Sequence, residues 1–522
     1  MQSNSENYQY DSCISRGICS VNPRTSSLIV VLVIFLKLTA KFLLKISRNS
    51  KIEEKIKKFF LKTITVTASQ QEFCEAYFIE SVKIFKEILA DICQKCTDLD
   101  DNNEFKNEDI TSSELFTQTE NIIDAIRFGE KILKNAILQF SSEIRDLHQT
   151  IMVISRSLSL NMLDLASFEQ NYDTEFLVLL DMFNTIGTEN VDINTLKEKI
   201  SNASETNNKT LFKLRNVQEQ RYGKQKKSEV SYSTTSGKAV LVAGSNIREL
   251  ETVLEAVKNK NIDVYTHDDM MLAHTFPKFS EYKALKGQFG QGLENCLIDF
   301  ATFPGPIILT KNSLHNIENL YRGRLFTTDD ILPQGVVKIE NDDFSEVINS
   351  ALSTKGFKNG KICESVKIGY DFEKTINQIN EILENKVRII MIGSEHEGSE
   401  QKSYFKKLVK YAPKNILIIS FSYEFDEENC ICINTCFDSL AMMKIYNEIK
   451  KYELPVVVFM PKCTRDTISQ MIYLSNQKNT SVYVGKCTPI ILNPSLMHTL
   501  NDIFKIKSID AVKKDIEDIT GA

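Results

Sequence analysis

The sequence predicts a multidomain α plus α/β protein, with an N-terminal helical domain followed by two Rossmann-like α/β domains with parallel sheets. From Arg24 to Tyr222 the chain has no proline and only two glycines, the residues that most often interrupt helices. Nine of the ten prolines lie after this region, where short β-branched runs alternate with helical patterns. We therefore expect a helical domain at 1–222, a linker at 223–237, a first α/β domain at 238–360 and a second at 361–522.

The N-terminal segment carries two thiols, Cys13 and Cys19, separated by five residues in a polar loop that contains a glycine. Such a pair can ligate a metal, but two thiolates alone do not complete a four-coordinate site. From the spacing alone, two unrelated cysteines are the preferred interpretation.

The most apolar segment, 28–44, is expected to be a buried first helix of the helical domain. Its uninterrupted part, 28–36, has nine residues before Lys37 and Lys41 interrupt it, whereas a membrane span needs about 20. We therefore expect a buried helix, with membrane association as the minor alternative. The preceding residues are polar and do not resemble a secretory leader. Together with twelve cysteines that lack a disulfide framework, this favours a cytoplasmic location.

The first α/β domain opens with a β-α-β pattern. An apolar run at 239–243 ends in a glycine turn, a helical pattern follows at 249–258, and a second strand begins at Asp263. The carboxyl ends of parallel strands meet at one edge of the sheet, where ligands bind in such folds. The polar residues that follow the two strands are candidates for a site: Ser245, Asn246, His267, Asp268 and Asp269.

The second α/β domain shows five apolar runs at regular spacing, which predict a parallel sheet with crossover helices. These runs are 387–392, 416–419, 430–433, 455–460 and 481–485. Cys430 and Cys432 form a C-x-C-x3-C pattern with Cys436. Alternate residues of a strand share a face, so we expect Cys430 and Cys432 to pack in the core rather than to bind a metal together with Cys463.

Four motifs of the first α/β domain resemble the hybrid-cluster protein family, also called the prismane or hydroxylamine reductase family. They are 263–274, the glycine loop 287–292, 303–306 and 326–328. The resemblance implies the three-domain fold above, a [4Fe-4S] cluster, a hybrid iron–sulfur–oxygen cluster and the reduction of hydroxylamine or nitric oxide. Family members carry four N-terminal cysteines for the first cluster. Only the second pair is matched here, so the resemblance makes Cys13 and Cys19 a remnant of that motif.

The family's hybrid cluster is held by one His, two Glu and four Cys, and this mixture of soft and hard donors suits a sulfur and oxygen cluster. The resemblance implies that most of these ligands are replaced in this chain. Ser245 stands for the His, Asp269 for the first Glu, Ser313 and Ser394 for two Cys, Phe421 or Ser422 for a third, Cys463 for the second Glu, and Cys436 is retained. Serine hydroxyls ligate iron poorly at neutral pH, because they must first lose a proton.

The expected function is that of a divergent family member, an iron–sulfur oxidoreductase by descent that lacks the hybrid cluster and is inactive. Two alternatives stay open. The first is a redox enzyme with an altered metal centre, whose ligands would be Cys13, Cys19, Asp269, Cys436 and Cys463. The second is a non-catalytic partner of an intact paralogue.

The net charge of −6 argues against nucleic acid as a partner. The remaining partner candidates are a second copy of the chain, a paralogue and, only if a cluster is bound, an electron-donor protein.

Overall fold

The computed structural model describes residues 22–68, 73–98, 114–187, 191–290, 296–311, 318–329, 335–393, 401–421, 424–433, 435, 438–461, 465–485 and 494–521. The chain divides into two compact units. The helical unit comprises Met1–Leu211, Ile468–Tyr473 and Thr488–Phe504. The sheet unit comprises Phe212–Thr467, Leu474–Cys487 and Lys505–Ala522.

Long helices make up the N-terminal part of the described chain, as the scarcity of proline and glycine predicts. They are α1 (Pro23–Ile46), α2 (Glu54–Thr67), α3 (Glu75–Asp98), α4 (Glu114–Gln118), α5 (Ile122–Gln139), α6 (Ser142–Ser167), α7 (Asp173–Thr185) and α8 (Ile193–Tyr222).

Shorter helices lie between the strands of the C-terminal part. They are α9 (Ile247–Ala256), α10 (Cys296–Thr302), α11 (Ser345–Ser353), α12 (Phe372–Leu383), α13 (Gln401–Tyr411), α14 (Ser439–Ile449), α15 (Thr467–Ser475), α16 (Pro494–Phe504) and α17 (Val512–Thr520). Short 3-10 helices are formed by Asp268–Thr275, Pro277–Glu281, Arg322–Arg324 and Lys450–Tyr452.

The first helix, α1, is the centre of the helical unit. It begins with Pro23 in its first turn, and the Asn22 side chain caps it by accepting the backbone N–H of Thr25 at 2.8 Å. It packs against α3, α5 and α7. At the contact with α5, a Cβ added to Gly129 would overlap the carbonyl oxygen of Ser27, so only glycine allows this approach.

The expected buried first helix is therefore present, since Val31, Leu32 and Phe35 are fully buried. Within the described part of the chain, α1 is also the one helix long and apolar enough to cross a membrane. Its most apolar window is 61% buried inside the protein, as in the core helix of a soluble domain.

Two six-stranded parallel sheets form the sheet unit, which confirms the predicted α/β architecture. The first has the strand order β4-β3-β2-β5-β6-β7 and the second β11-β10-β9-β12-β13-β14. The strands are β1 (Ser228–Ser231), β2 (Lys238–Ala243), β3 (Ile262–His267), β4 (Leu285–Gln288), β5 (Ile307–Leu309), β6 (Leu325–Thr327), β7 (Val337–Lys338), β8 (Ser365–Ile368), β9 (Arg388–Ile392), β10 (Ile416–Ser420), β11 (Cys430–Cys432), β12 (Val456–Met460), β13 (Thr480–Val484) and β14 (Ile506–Ser508).

The segment 223–237, predicted to be a linker, contains β1, which pairs with β8 in a two-stranded antiparallel sheet. Val230 of β1 is 1% exposed and packs with Met271 and Ile368. The segment is thus folded into the sheet unit rather than solvated along its length.

Glycines of two motifs allow close contact between backbones in this unit. A Cβ at Gly287 would overlap the carbonyl oxygen of Ser231, and a Cβ at Gly305 would overlap that of Ala239. The Gly287 contact supports close backbone packing as the role of the described part of the glycine loop.

Each parallel sheet has one point where the strand order reverses. In the first sheet, β3 and β4 lie on one side of β2, and β5, β6 and β7 lie on the other. In the second sheet the reversal occurs at β9. In open α/β sheets, the crevice at the carboxyl ends of such strands is where ligands bind.

Candidate functional site

Two of the predicted ligand positions lie at the carboxyl edge of the first sheet. Strands β2 and β3 pair in parallel, with Ala243 opposite His267, so Ser245 and Asp269 each follow this pair by two residues. Ser245 is exposed, and Asp269 is half-buried in the 3-10 helix that follows β3. The chain therefore places a hydroxyl and a carboxylate on neighbouring loops at the edge where a ligand is expected.

Phe421, one of the two candidates for the third Cys position, directly follows β10 and is fully buried. The remaining predicted ligand positions lie outside the described residues. They are Cys13, Cys19, Ser313, Ser394, Ser422, Cys436 and Cys463. In the sequence, Ser394 follows the end of β9 by two residues, and Cys463 follows the end of β12 by three. β9 and β12 are neighbours in the second sheet, so these positions follow adjacent carboxyl ends.

His267, the last residue of β3, and His274, in the 3-10 helix that follows, both have hydrogen-bond partners within the protein. His267 Nε2 lies 3.0 Å from Asp299 Oδ2, and His274 Nε2 lies 2.9 Å from Thr266 Oγ1. Burial lowers the pKa of His274 to about 4, which keeps its ring neutral at pH 7. Both rings are thus engaged in hydrogen bonds within the first α/β domain.

Glu249 is a buried carboxylate at the same edge that the sequence analysis did not single out. It accepts hydrogen bonds from the Thr328 hydroxyl at 2.6 Å and from the Lys311 backbone N–H at 3.1 Å. It thereby ties the first turn of α9 to the residues that follow β5 and β6. The spacing Asn246-x-x-Glu249 signals a helix cap, and Asn246 does cap α9. No local pattern reveals the contacts with Thr328 and Lys311.

A buried ion pair lies where α8 meets the second α/β domain within the sheet unit. Arg215 Nη1 lies 2.8 Å from Asp438 Oδ2, and Nη2 lies 3.1 Å from Oδ1. Burial alone would raise the pKa of Asp438, but the charge and hydrogen bonds of Arg215 outweigh it and lower that pKa. Asp438 also accepts the backbone N–H groups of Leu440 and Ala441 at the start of α14.

Beside this pair lies a pocket with about 240 Å³ of empty space, part of it open to solvent. Its lining comes from the segment before β1, the 3-10 helix after β3, and the second α/β domain: Gln225, Leu272, Thr275, Ile368, Gly369, Tyr370, Thr435 and Asp438. Gln225 Nε2 donates to Thr275 Oγ1 at 3.0 Å and to Asp438 Oδ2 at 3.2 Å. Because four groups already donate to the Asp438 carboxylate, it is poorly placed to ligate a metal as well.

The predicted core position of Cys430 and Cys432 is only half right. Cys430 is half-buried and packs against the core of the second sheet, whereas Cys432 is exposed. The physical reason is that β11 is an edge strand, so this face is only partly covered. Ile431, on the opposite face, is 3% exposed.

Comparison with known proteins identifies the lineage. The model of the Prismane/CO dehydrogenase family matches residues 9–517. The chain belongs to this family. A hydroxylamine reductase from Thermodesulfovibrio yellowstonii is 24% identical over 540 residues, which cover 97% of this chain and 97% of that protein. The resemblance inferred from the motifs is therefore confirmed, and the prismane family is one of iron–sulfur oxidoreductases.

Two solved structures also align with this prismane-family chain. Carbon monoxide dehydrogenase IV from Carboxydothermus hydrogenoformans gives a TM-score of 0.45 and 11% identity, covering 97% of this chain and 89% of that one. An acetyl-CoA synthase/carbon monoxide dehydrogenase gives 0.43 and 12%, covering 97% and 83%. These scores are too low to carry any argument about the site.

The prismane family implies iron–sulfur clusters, and the donors at the site test that implication. Such clusters need several sulfur, imidazole or carboxylate donors around one point. Within the ranges that the structure describes, no three His, Cys, Asp or Glu side chains are grouped to hold a metal ion. The predicted ligand positions at the first sheet offer an exposed hydroxyl, Ser245, and one carboxylate, Asp269. These two residues supply no sulfur or imidazole donor for a hybrid cluster.

Proposed function

We propose that this prismane-family protein has lost the hybrid cluster and does not reduce hydroxylamine or nitric oxide. The observation that carries the proposal is the donor chemistry at the family's ligand positions. Three of them are serines, Ser245, Ser313 and Ser394. A thiolate or imidazole binds iron at neutral pH, whereas a hydroxyl must first be deprotonated.

Among the described residues, Glu249 and His267 do not compensate for these replacements at the first sheet. The carboxylate of Glu249 already accepts hydrogen bonds from Thr328 and Lys311, and its Oε1 lies 3.5 Å from Lys311 Nζ. His267 lies 3.0 Å from Asp299. Changes to groups that merely support metal ligands already lower affinity or activity by about 10- to 100-fold, so replacement of several ligands should abolish the centre.

Hydroxylamine consumption under anaerobic conditions tests this function. The T. yellowstonii hydroxylamine reductase, prepared with the same iron and sulfide supply and the same artificial electron donor, is the positive control. We expect turnover by the control and none above background by this chain. Turnover by this chain within tenfold of the control would overturn the proposal.

A second measurement separates the proposal from a redox enzyme with an altered metal centre. In that alternative, Cys436 is a retained ligand, so Cys436→Ala removes bound iron and the visible absorption. Under our proposal, the variant and the wild type have the same metal content. Iron analysis of both proteins distinguishes the two outcomes.

We further propose a cytoplasmic location, supported by the burial of α1 and by twelve cysteines that lack a disulfide framework. Cell fractionation tests this: the protein is expected with the soluble cytoplasmic proteins. Recovery in the membrane fraction, resistant to a high-salt wash, would contradict it.

A further inference from the structure

The edge strand β11 presents two thiols side by side, at a place that the family's ligand positions do not include. Cys430 Sγ and Cys432 Sγ lie 3.7 Å apart on one face of the strand. Cys432 is exposed, and Cys430 lies half-buried beneath it. Exposure of one thiol beside a partly covered second thiol is the arrangement of a reactive cysteine with a resolving cysteine.

The surroundings of Cys432 favour a nucleophilic sulfur. The backbone N–H of Phe425 donates to Cys432 Sγ at 3.2 Å. The hydrogen bond from Cys430 lowers the pKa of Cys432 to about 7, against burial and the nearby Glu424 and Asp426 carboxylates, which raise it. The same contact raises the pKa of Cys430, so the proton stays on the inner sulfur. The exposed sulfur is therefore the attacking group.

A bond between the two sulfurs requires a local adjustment of the β11 backbone. Residues two apart in a strand have Cα atoms about 6.6 Å apart, at the upper end of the range seen in disulfides, roughly 4.4 to 6.8 Å. Closure requires the sulfurs to approach to about 2.05 Å. β11 has three residues and pairs with β10 on one side only. A local adjustment of β11 therefore does not disrupt hydrogen bonds to a second neighbouring strand.

We propose that Cys432 and Cys430 form a redox-active dithiol that exchanges with low-molecular-weight disulfides. The Cys432 thiolate attacks one sulfur of the disulfide and expels the first thiolate, which leaves a mixed disulfide on Cys432. Cys430 Sγ then loses its proton, attacks Cys432 Sγ and expels the second thiolate. The protein dithiol is oxidised by two electrons, and the small disulfide is reduced to two thiols. This activity does not depend on the proposed loss of the hybrid cluster.

The test uses the full chain in a Cys436→Ser background, so that Cys430 and Cys432 are the only thiols in their tryptic peptide. Glutathione disulfide is the probe, free thiols are alkylated after quenching, and the peptides are weighed by mass spectrometry. We expect this peptide to lose two hydrogens. Adding Cys430→Ser should trap one glutathione on Cys432, and adding Cys432→Ser should leave Cys430 unmodified.

Cys74, which is exposed, is the internal reference for a single thiol on the same chain. Glutathione on Cys74 while the β11 peptide keeps both thiols would overturn the proposal. So would stable glutathione adducts on both β11 cysteines without an internal disulfide, since Cys430 would then not resolve. Circular dichroism of the Cys432→Ser protein should match the wild type, because the substituted side chain is exposed.

Discussion

At the scale of single residues, two buried imidazoles couple the stability of the protein to pH. Burial lowers the pKa of His274 to about 4, and burial together with the charge of Lys37 does the same for His148. An ordinary histidine titrates near 6.5. Between pH 6.5 and 4 the unfolded chain therefore binds protons that the native protein does not. The contribution of these neutral histidines to the free energy of unfolding is fully present above pH 6.5. It is lost as the pH falls towards 4.

Replacing His274 should weaken this pH dependence. In His274→Gln the titrating group is absent, so the loss of stability between pH 6.5 and 4 should shrink by a few kcal/mol, although the variant starts less stable at pH 7. Thermal unfolding midpoints at several pH values in this range provide the measurement. His498→Gln is the matched control, because the His498 side chain is 71% exposed. Equal slopes for His274→Gln and the wild type would contradict the assignment.

The contacts of the Glu249 side chain could not be predicted from the sequence. The polar residues after β2 and β3 could be recognised because strand ends are readable from local apolar runs. The partners of Glu249, Lys311 and Thr328, are 62 and 79 residues away. Contacts at that distance depend on the strand order, which local periodicity does not encode.

At the scale of elements, the pair Arg215–Asp438 joins α8 to the start of α14 across 223 residues of sequence. Arg215 and Asp438 are 7% and 3% exposed. Separating two charges at such a site leaves one buried without a counter-charge, which typically costs about 3–5 kcal/mol. The pair therefore fixes the position of α14 in the sheet unit.

Asp438→Asn should destabilise the sheet unit by about 3–5 kcal/mol, since the amide still caps α14 but leaves the Arg215 charge uncompensated. The shift of the urea unfolding midpoint measures this effect. Asp510→Asn is the control, because it removes an exposed contact with Lys514 that solvent screens. Similar shifts for both variants would show that the buried pair does not hold the elements together.

The close backbone contact between β2 and the segment before β5 leads to a second prediction at this scale. Gly305→Ala should destabilise the first sheet by about 1–3 kcal/mol or more, because the new Cβ overlaps the Ala239 carbonyl oxygen and β5 must move from β2. Gly323→Ala is the control, since no atom lies within 4 Å of its added Cβ. Urea unfolding followed by circular dichroism should show a large shift for the first variant and almost none for the second. Equal shifts would contradict the packing described for β2 and β5.

The elements themselves could largely be read from the sequence. Apolar β-branched runs located β9, β10, β12 and β13, because buried parallel strands are apolar on both faces. Short strands such as β1, β8 and β14 were missed, since each buries only one residue of a short run. Cys432 was misplaced in the core for a related reason. Its position depends on β11 being the edge strand, and strand order is not a local property.

At the scale of the whole molecule, the chain keeps the two parallel sheets, and a prismane-family match covers 9–517. Our proposal is that the side chains at the ligand positions have changed, while the strands of the two sheets are formed by ordinary core residues. A fold depends on hydrophobic burial spread over many positions, but a metal centre depends on a few donors. The scaffold can therefore persist after the chemistry has been lost.

The most direct test of this account is the iron and acid-labile sulfide content of the full chain after anaerobic expression with excess iron, with the T. yellowstonii hydroxylamine reductase prepared alongside. The account predicts a colourless protein with substoichiometric iron and sulfide next to a coloured, iron-loaded control. Several iron and sulfide atoms per chain, retained through gel filtration and giving visible absorption, would contradict it.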